Sequence, residues 1–152
     1  MSTRSEYPHQ PVVGVGGVVI SGDRALLIRR GSEPLKGAWS IPGGRLELGE
    51  TIAEGVVREL REETGLDVRV LCLIEVFERI FHDEAAPASA PPRYHFVILD
   101  YLCEVVSGEP RAGSDVTELA WAREKDLRQY SLTPTATRVL RQAFQMVRTR
   151  PH

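Results

Sequence analysis

The chain has 152 residues, 42% of them hydrophobic and 26% charged, with a formal net charge of −2. That size and composition predict one globular domain spanning residues 1–152. No dense basic stripe is present, since Arg29–Arg30 and Arg148, Arg150 stand apart. A nucleic-acid partner is therefore not expected, and the predicted partner is a small molecule. Met1–Gln10 lacks the apolar segment of a secretory leader. The longest apolar run is broken by glycine within ten residues, too short to cross a bilayer, so no membrane partner is expected. Cys72 and Cys103 lie in strand-like segments and read as reduced, buried thiols, which points to a cytoplasmic location.

In chain order, Val12–Ser21 is β-branched and reads as a buried strand, and Ser21-Gly22-Asp23 turns it into a second strand, Arg24–Arg30. A loop over Gly31–Gly37 leads to a short extended piece, Ala38–Pro42, which ends at Gly43-Gly44. Thr51–Thr64 carries the clearest helical pattern. Thr51 and Glu54 have the spacing of a capping box, and Gly65 supplies a left-handed stop. Val68–Phe81 is a long strand with an expected bend near Glu75, and Glu84–Arg93 is an Ala/Pro-rich segment predicted to be an exposed, mobile loop. Tyr94–Val106 and Glu118–Ala122 read as strands. Pro134–Val147 reads as a closing amphipathic helix. Strands flanking one helix, with a second helix at the end, predict a mixed sheet between helical layers.

The chemistry concentrates on the first helix. Ile52, Ala53, Val56, Val57 and Leu60 form its predicted packing stripe, and Glu59, Glu62 and Glu63 run along one edge of it. Three carboxylates at i, i+3, i+4 repel, and they sit at the helix end that disfavours negative charge. A bland reading remains: a solvated face, balanced by Arg58 and Arg61. A hard divalent cation with oxygen ligands gives the cluster a purpose. Gly43-Gly44 offers a close backbone approach before the helix, and Glu50 stands just ahead of its first turn.

The segment Gly44–Leu66 resembles the Nudix box, G-x5-E-x7-R-E-U-x-E-E-x-G-U with U aliphatic. Gly44, Glu50, Arg58, Glu59, Leu60, Glu62, Glu63, Gly65 and Leu66 fill its specified positions. The resemblance implies an α/β fold, a Nudix-type α/β/α sandwich with a mixed sheet. It also implies hydrolysis of a nucleoside diphosphate linked to another moiety. On that pattern Glu59 and Glu63 are the main metal ligands, Glu62 is a further ligand or the general base, and Glu50 assists at the metal. Arg58 holds the acids in register. The ion implied is Mg²⁺, with Mn²⁺ as the alternative. A base outside the box is the other option, and Asp115 and Glu118 are its candidates.

Residues that choose the substrate are less legible. Arg29 and Arg30 end a strand near the box, where one could meet phosphate, although surface charge is the favoured alternative. Gly43 and Gly44 bring backbone to the site. Trp39, Phe77, Phe81 and Tyr101 read first as core residues, and His95 as structural. Tyr94 adjoins the predicted loop. Tyr7-Pro8, Trp39–Glu47 and Arg111–Asp115 are similar to small bacterial family members labelled ADP-ribose pyrophosphatases. ADP-ribose, cleaved to AMP and ribose 5-phosphate, is therefore the first expectation. Oxidised nucleoside triphosphates are the second. A non-catalytic nucleotide sensor is the third, disfavoured because all four box glutamates remain. A homodimer is left open.

Overall fold

The computed structural model describes residues 5–150, and the leaderless reading of Met1–Gln10 falls partly on residues outside that range. Strand β1 (Val12–Ser21) turns at Gly22-Asp23 into β2 (Arg24–Arg30), with Ser21 opposite Arg24. Two short strands follow, β3 (Trp39–Ser40) and β4 (Gly43–Arg45). Helix α1 (Ile52–Thr64) comes next, then β5 (Asp67–Phe81), β6 (Tyr94–Ser107) and β7 (Val116–Arg123). A 3-10 helix over Glu124–Tyr130 precedes the closing helix α2 (Pro134–Thr149). The sheet runs β3-β2-β1-β6-β5, with β4 also on β1 and β7 also on β2. The β1–β6 pairing is parallel and the others are antiparallel, so the sheet is mixed as expected.

Alternation along the strands sends side chains to two cores. Val18, Ala25, Leu27 and Leu102 pack with Val139, Leu140, Ala143 and Phe144 of α2. Val15, Val19, Leu26 and Cys103 pack with Val56 and Leu60 of α1 on the opposite face. The result is the α/β/α sandwich. No helix among the described residues is long and apolar enough to cross a membrane. Cys103 is buried, Cys72 is half-buried, and both are free thiols.

Three features differ from the sequence reading. The extended piece predicted to end at Gly43-Gly44 is two strands, because the glycines themselves pair with β1: Gly16 opposes Gly43 and Val15 opposes Gly44. Ala53, assigned to the packing stripe of α1, is exposed. The buried face is instead Gly55, Val56, Leu60, Glu63 and Thr64, so a carboxylate lies within it. The 3-10 helix has no counterpart in the predicted elements. The bend near Glu75 is present as a register shift between Leu73 and Glu75.

Local chemistry sets both ends of α1. Thr51 Oγ1 accepts from the Glu54 N–H at 3.1 Å, and Gly65 closes the helix with φ 75° and its N–H on the Arg61 carbonyl. A Cβ at Gly65 would also sit 2.9 Å from the Glu109 carbonyl oxygen. Gly65→Ala is expected to destabilise the fold by about 1–2 kcal/mol from the left-handed backbone alone, and by more from the Glu109 contact. Urea denaturation measures this. An unchanged midpoint would show that the cap is not needed.

Candidate active site

Arg58 organises the box. Its Nε and Nη2 donate to the two oxygens of Glu50 at 2.6 and 2.9 Å, a bidentate clamp. Nη1 donates to Glu59 at 2.8 Å and to Glu62 at 3.4 Å, and Nη2 also reaches the Arg45 carbonyl at 2.9 Å. The Glu50 N-terminal turn, strand β4 and helix α1 are thereby tied to one guanidinium. The hydrogen bonds from Arg58 hold the Glu50 carboxyl down at about 2. The same contacts raise Arg58 above its ordinary value, against the opposing effect of burial.

Glu59 and Glu63 experience the opposite environment. Burial raises Glu59, although Arg58 pulls it back. Glu63 is 7% exposed, and its Oε1 accepts the Gly43 N–H at 2.7 Å. Burial, opposed by that hydrogen bond, pushes its carboxyl up to about 8, with Glu59 and Asp115 adding to the rise. A Cβ at position 44 would stand 2.5 Å from the Glu59 carboxylate, so only glycine lets β4 pass this close.

These groups open on a cavity of about 750 Å³, within the range of small-molecule sites. Glu59, Glu62, Glu63, Arg58, Gly43 and Gly44 line it, as do Arg30 and Asp115 across from the helix. Ser32 Oγ donates to Asp115 Oδ2. Arg30 donates to the Pro34 carbonyl and is near enough to Glu63 to draw its carboxyl down slightly. Of the predicted site residues, the structure does not bring Arg29, Glu118 or Glu50 to the lining. Arg29 pairs with Glu118, its cross-strand neighbour on β7, at 2.7 Å. Adjacent strand residues point to opposite faces, so only Arg30 of the pair can face the cavity. Glu50, expected to assist at the metal, pairs here with Arg58 at 2.6 Å.

Phe77, Phe81, Tyr94 and Phe96 also line the cavity, and Phe77, read as a core residue from sequence, packs against the α2-side core as well. Tyr94 stacks with Phe96 at 6.0 Å and meets the edge of Phe81 at 6.0 Å. Trp39 packs against Tyr130 in the α2-side core as expected. His95 and Tyr101 are absent from the lining. The Ala/Pro-rich segment is irregular, as predicted, but its ends are tethered. Arg93 donates its N–H to the Phe81 carbonyl, Tyr7 Oη donates to Asp83, and Arg93 pairs with Glu6.

Among the lining residues that the sequence reading did not single out are Arg79 and Asp100. Asp100 stands within the apolar run of β6, whereas Arg79 follows Glu78 in a strand with several charges, so neither is marked out by sequence alone. Arg79 donates to Thr133 Oγ1 and stacks over Phe77, and burial lowers its pKa. Burial pushes Asp100 up to about 7, against the attraction of Arg79.

The NUDIX domain family model matches residues 10–143. The chain is 36% identical over 135 residues to the ADP-ribose pyrophosphatase of Methanocaldococcus jannaschii, covering 82% of this chain and 75% of that protein. It is 33% identical over 121 residues to a Mycobacterium tuberculosis protein provisionally named 8-oxo-dGTP diphosphatase 2, covering 79% of each. The crystal structure of a MutT NUDIX hydrolase from Burkholderia pseudomallei superposes with a TM-score of 0.72 at 34% identity, over 88% of this chain and 98% of that one. The fold and these likenesses define a hydrolase of the pyrophosphatase class. The chain belongs to the Nudix family.

Nudix hydrolases generally use divalent metal ions. Among the described residues, no three Asp, Glu, His or Cys side chains converge in metal-binding geometry, because Glu59 is turned to Arg58 and Glu63 to the Gly43 N–H. The donor chemistry nonetheless fits a hard cation: only carboxylates are offered, they share one cavity, and burial leaves Glu59 and Glu63 short of positive charge.

A raised carboxyl favours the folded state when protonated. Its stability contribution is full below the unfolded value near 4.5 and is lost as pH rises through about 8. The metal-free protein is therefore expected to lose melting temperature between pH 5 and 9, and Glu63→Gln should shrink that loss. A divalent cation needs the deprotonated form, so its stabilising effect should grow over the same range. Thermal melts with and without cation test this. A metal-free melting temperature that does not fall would contradict it.

Proposed function

We propose that this chain hydrolyses ADP-ribose to AMP and ribose 5-phosphate with Mg²⁺. The observation that carries the proposal is a single cavity lined both by box carboxylates and by the aromatic side chains of β5 and β6. Such a cavity suits a diphosphate joined to a flat base. The likeness to a relative named for this activity supports the choice of ADP-ribose.

Glu59 and Glu63 would hold the ion, with Glu62 at the mouth. When bound, the cation neutralises the diphosphate and polarises its oxygens. Arg30 and Arg79 add positive charge along the cavity. Glu62 is half-exposed and held only by the 3.4 Å contact to Arg58, so it is free to meet water and take its proton. The water oxygen bonds to phosphorus, the anhydride P–O bond breaks, and its electron pair leaves with the departing phosphate. Arg58 positions the acids and does not touch substrate.

The test is a substrate panel of ADP-ribose, nucleotide sugars, dinucleoside polyphosphates and oxidised nucleoside triphosphates, with and without Mg²⁺. AMP release from ADP-ribose should dominate. Preference for 8-oxo-dGTP would instead align the chain with the Mycobacterium tuberculosis relative, and no turnover anywhere would favour a nucleotide sensor. Glu62→Gln should lower kcat by about 10²–10⁴-fold with little change in KM. Wild-type rates in both Glu62→Gln and Glu63→Gln would remove catalysis from this helix. Arg58→Lys, which cannot reproduce the bidentate fork, should cost about 10–100-fold in activity.

A further inference from the structure

Among the described residues the buried carboxylates are Glu63 and Asp100, and Asp100 lies outside the box. Asp100 is 3% exposed on β6, yet it lines the cavity. No described residue gives its carboxylate a hydrogen bond; Arg79 attracts it only through space. Burying such an acceptor without a donor is costly unless a ligand supplies one.

The backbone makes room for this group. Gly16 opposes Asp100 in the β1–β6 register, and a Cβ at Gly16 would overlap Asp100 Oδ1. The same Cβ would lie 3.1 Å from the Pro42 carbonyl oxygen. Two acceptors therefore stand side by side over Gly16. The Pro42 oxygen already accepts the Gly17 N–H at 3.1 Å and keeps a second lone pair. Around them Ile41, Phe77, Phe96 and Ile98 present apolar walls. Flat apolar walls over paired acceptors match a ring with N–H groups on its edge, whereas a sugar would need donors and acceptors on several sides.

The placement also fits a nucleotide. Gly16 pairs with Asp100 on one side and with Gly43 on the other, and the Gly43 N–H holds Glu63. On the backbone two strand spacings, about 10 Å, separate Asp100 from Gly43, while the Pro42 carbonyl shares a peptide unit with the Gly43 N–H and so lies at the box end of the subsite. A base seated at Asp100 would leave its phosphates within reach of the box carboxylates.

We propose that Asp100 and the Pro42 carbonyl form the base-reading subsite of the cavity, accepting hydrogen bonds from the amino-bearing edge of a purine. This rests on the nucleotide-hydrolase reading but not on ADP-ribose, since adenine and guanine both carry such an edge.

The probes are AMP, GMP and purine riboside 5′-monophosphate, which has no exocyclic amino group. They are titrated into the whole chain by calorimetry without divalent cation, so the readout does not depend on turnover. AMP or GMP should bind at least about 10-fold more tightly than the unaminated nucleotide. Asp100→Leu, close in size and without acceptors, should bring that ratio near one. If this variant does not fold, the wild-type ratio still decides. Equal binding of the three nucleotides, or no binding of any, overturns the proposal. So does ribose 5-phosphate binding that Asp100→Leu abolishes, which would give the subsite to a sugar. A retained ratio without ADP-ribose hydrolysis removes only the choice of substrate, while ADP-ribose hydrolysis without the ratio removes only the subsite.

Discussion

One guanidinium holds the site together. Arg58 bonds Glu50, Glu59 and Glu62 and the Arg45 carbonyl, so the loop before α1, the strand β4 and the helix itself share a single partner. Charge counting shows what this leaves. Arg58 supplies one positive charge to a neighbourhood that also includes Glu47 at 3.6 Å, while Glu63 takes its hydrogen bond from the Gly43 N–H instead. The excess negative charge is concentrated on the cavity side. Removing Arg58 would do more than delete an ion pair, because partly buried carboxylates without their partner are strongly destabilising.

The same arrangement divides the box glutamates by environment. Glu50 is held ionised by its clamp, whereas Glu59 and Glu63 are kept reluctant to ionise by burial. Acids of one type thus occupy different environments: Glu50 is clamped by Arg58, whereas Glu63 is buried with only the Gly43 N–H on its Oε1. Gly44 is part of this division, since a side chain there would push the Glu59 carboxylate away from β4.

The helix and its chemistry were legible in the sequence because they are local. Thr51, Arg58, Gly65 and the glutamates lie within one short segment whose spacing is fixed by the helical repeat. The two-layer packing was legible for the same reason, through alternation in β1 and β2 and the apolar stripe of α2. What the sequence hid was decided across strands. Arg29 and Arg30 look equivalent in a row, but the pleat sends one to Glu118 and the other to the cavity. Strand β4 is mostly glycine and offers no side-chain pattern, only backbone pairing to β1. The stripe of α1 was misjudged at Ala53 because periodicity gives the width of a face better than its direction, and the close passage of β4 turns Glu63 inward.

Arg79 and Asp100 show why substrate choice is harder to read than reaction class. Cutting a phosphoanhydride needs clustered carboxylates, and a helix can cluster them in sequence. Recognising an attached group needs side chains converging from separate strands, and the cavity wall that carries Arg79 and Asp100 comes from β5 and β6, joined through a register that shifts between Leu73 and Glu75. The bulge shifts the pairing there, so a count of twos from Leu73 would mispredict which residues beyond it face α2. Phe77 and Arg79 face the cavity from beyond it. The carboxylate cluster is thus written in one segment, while the wall facing it across the cavity is a property of the folded sheet.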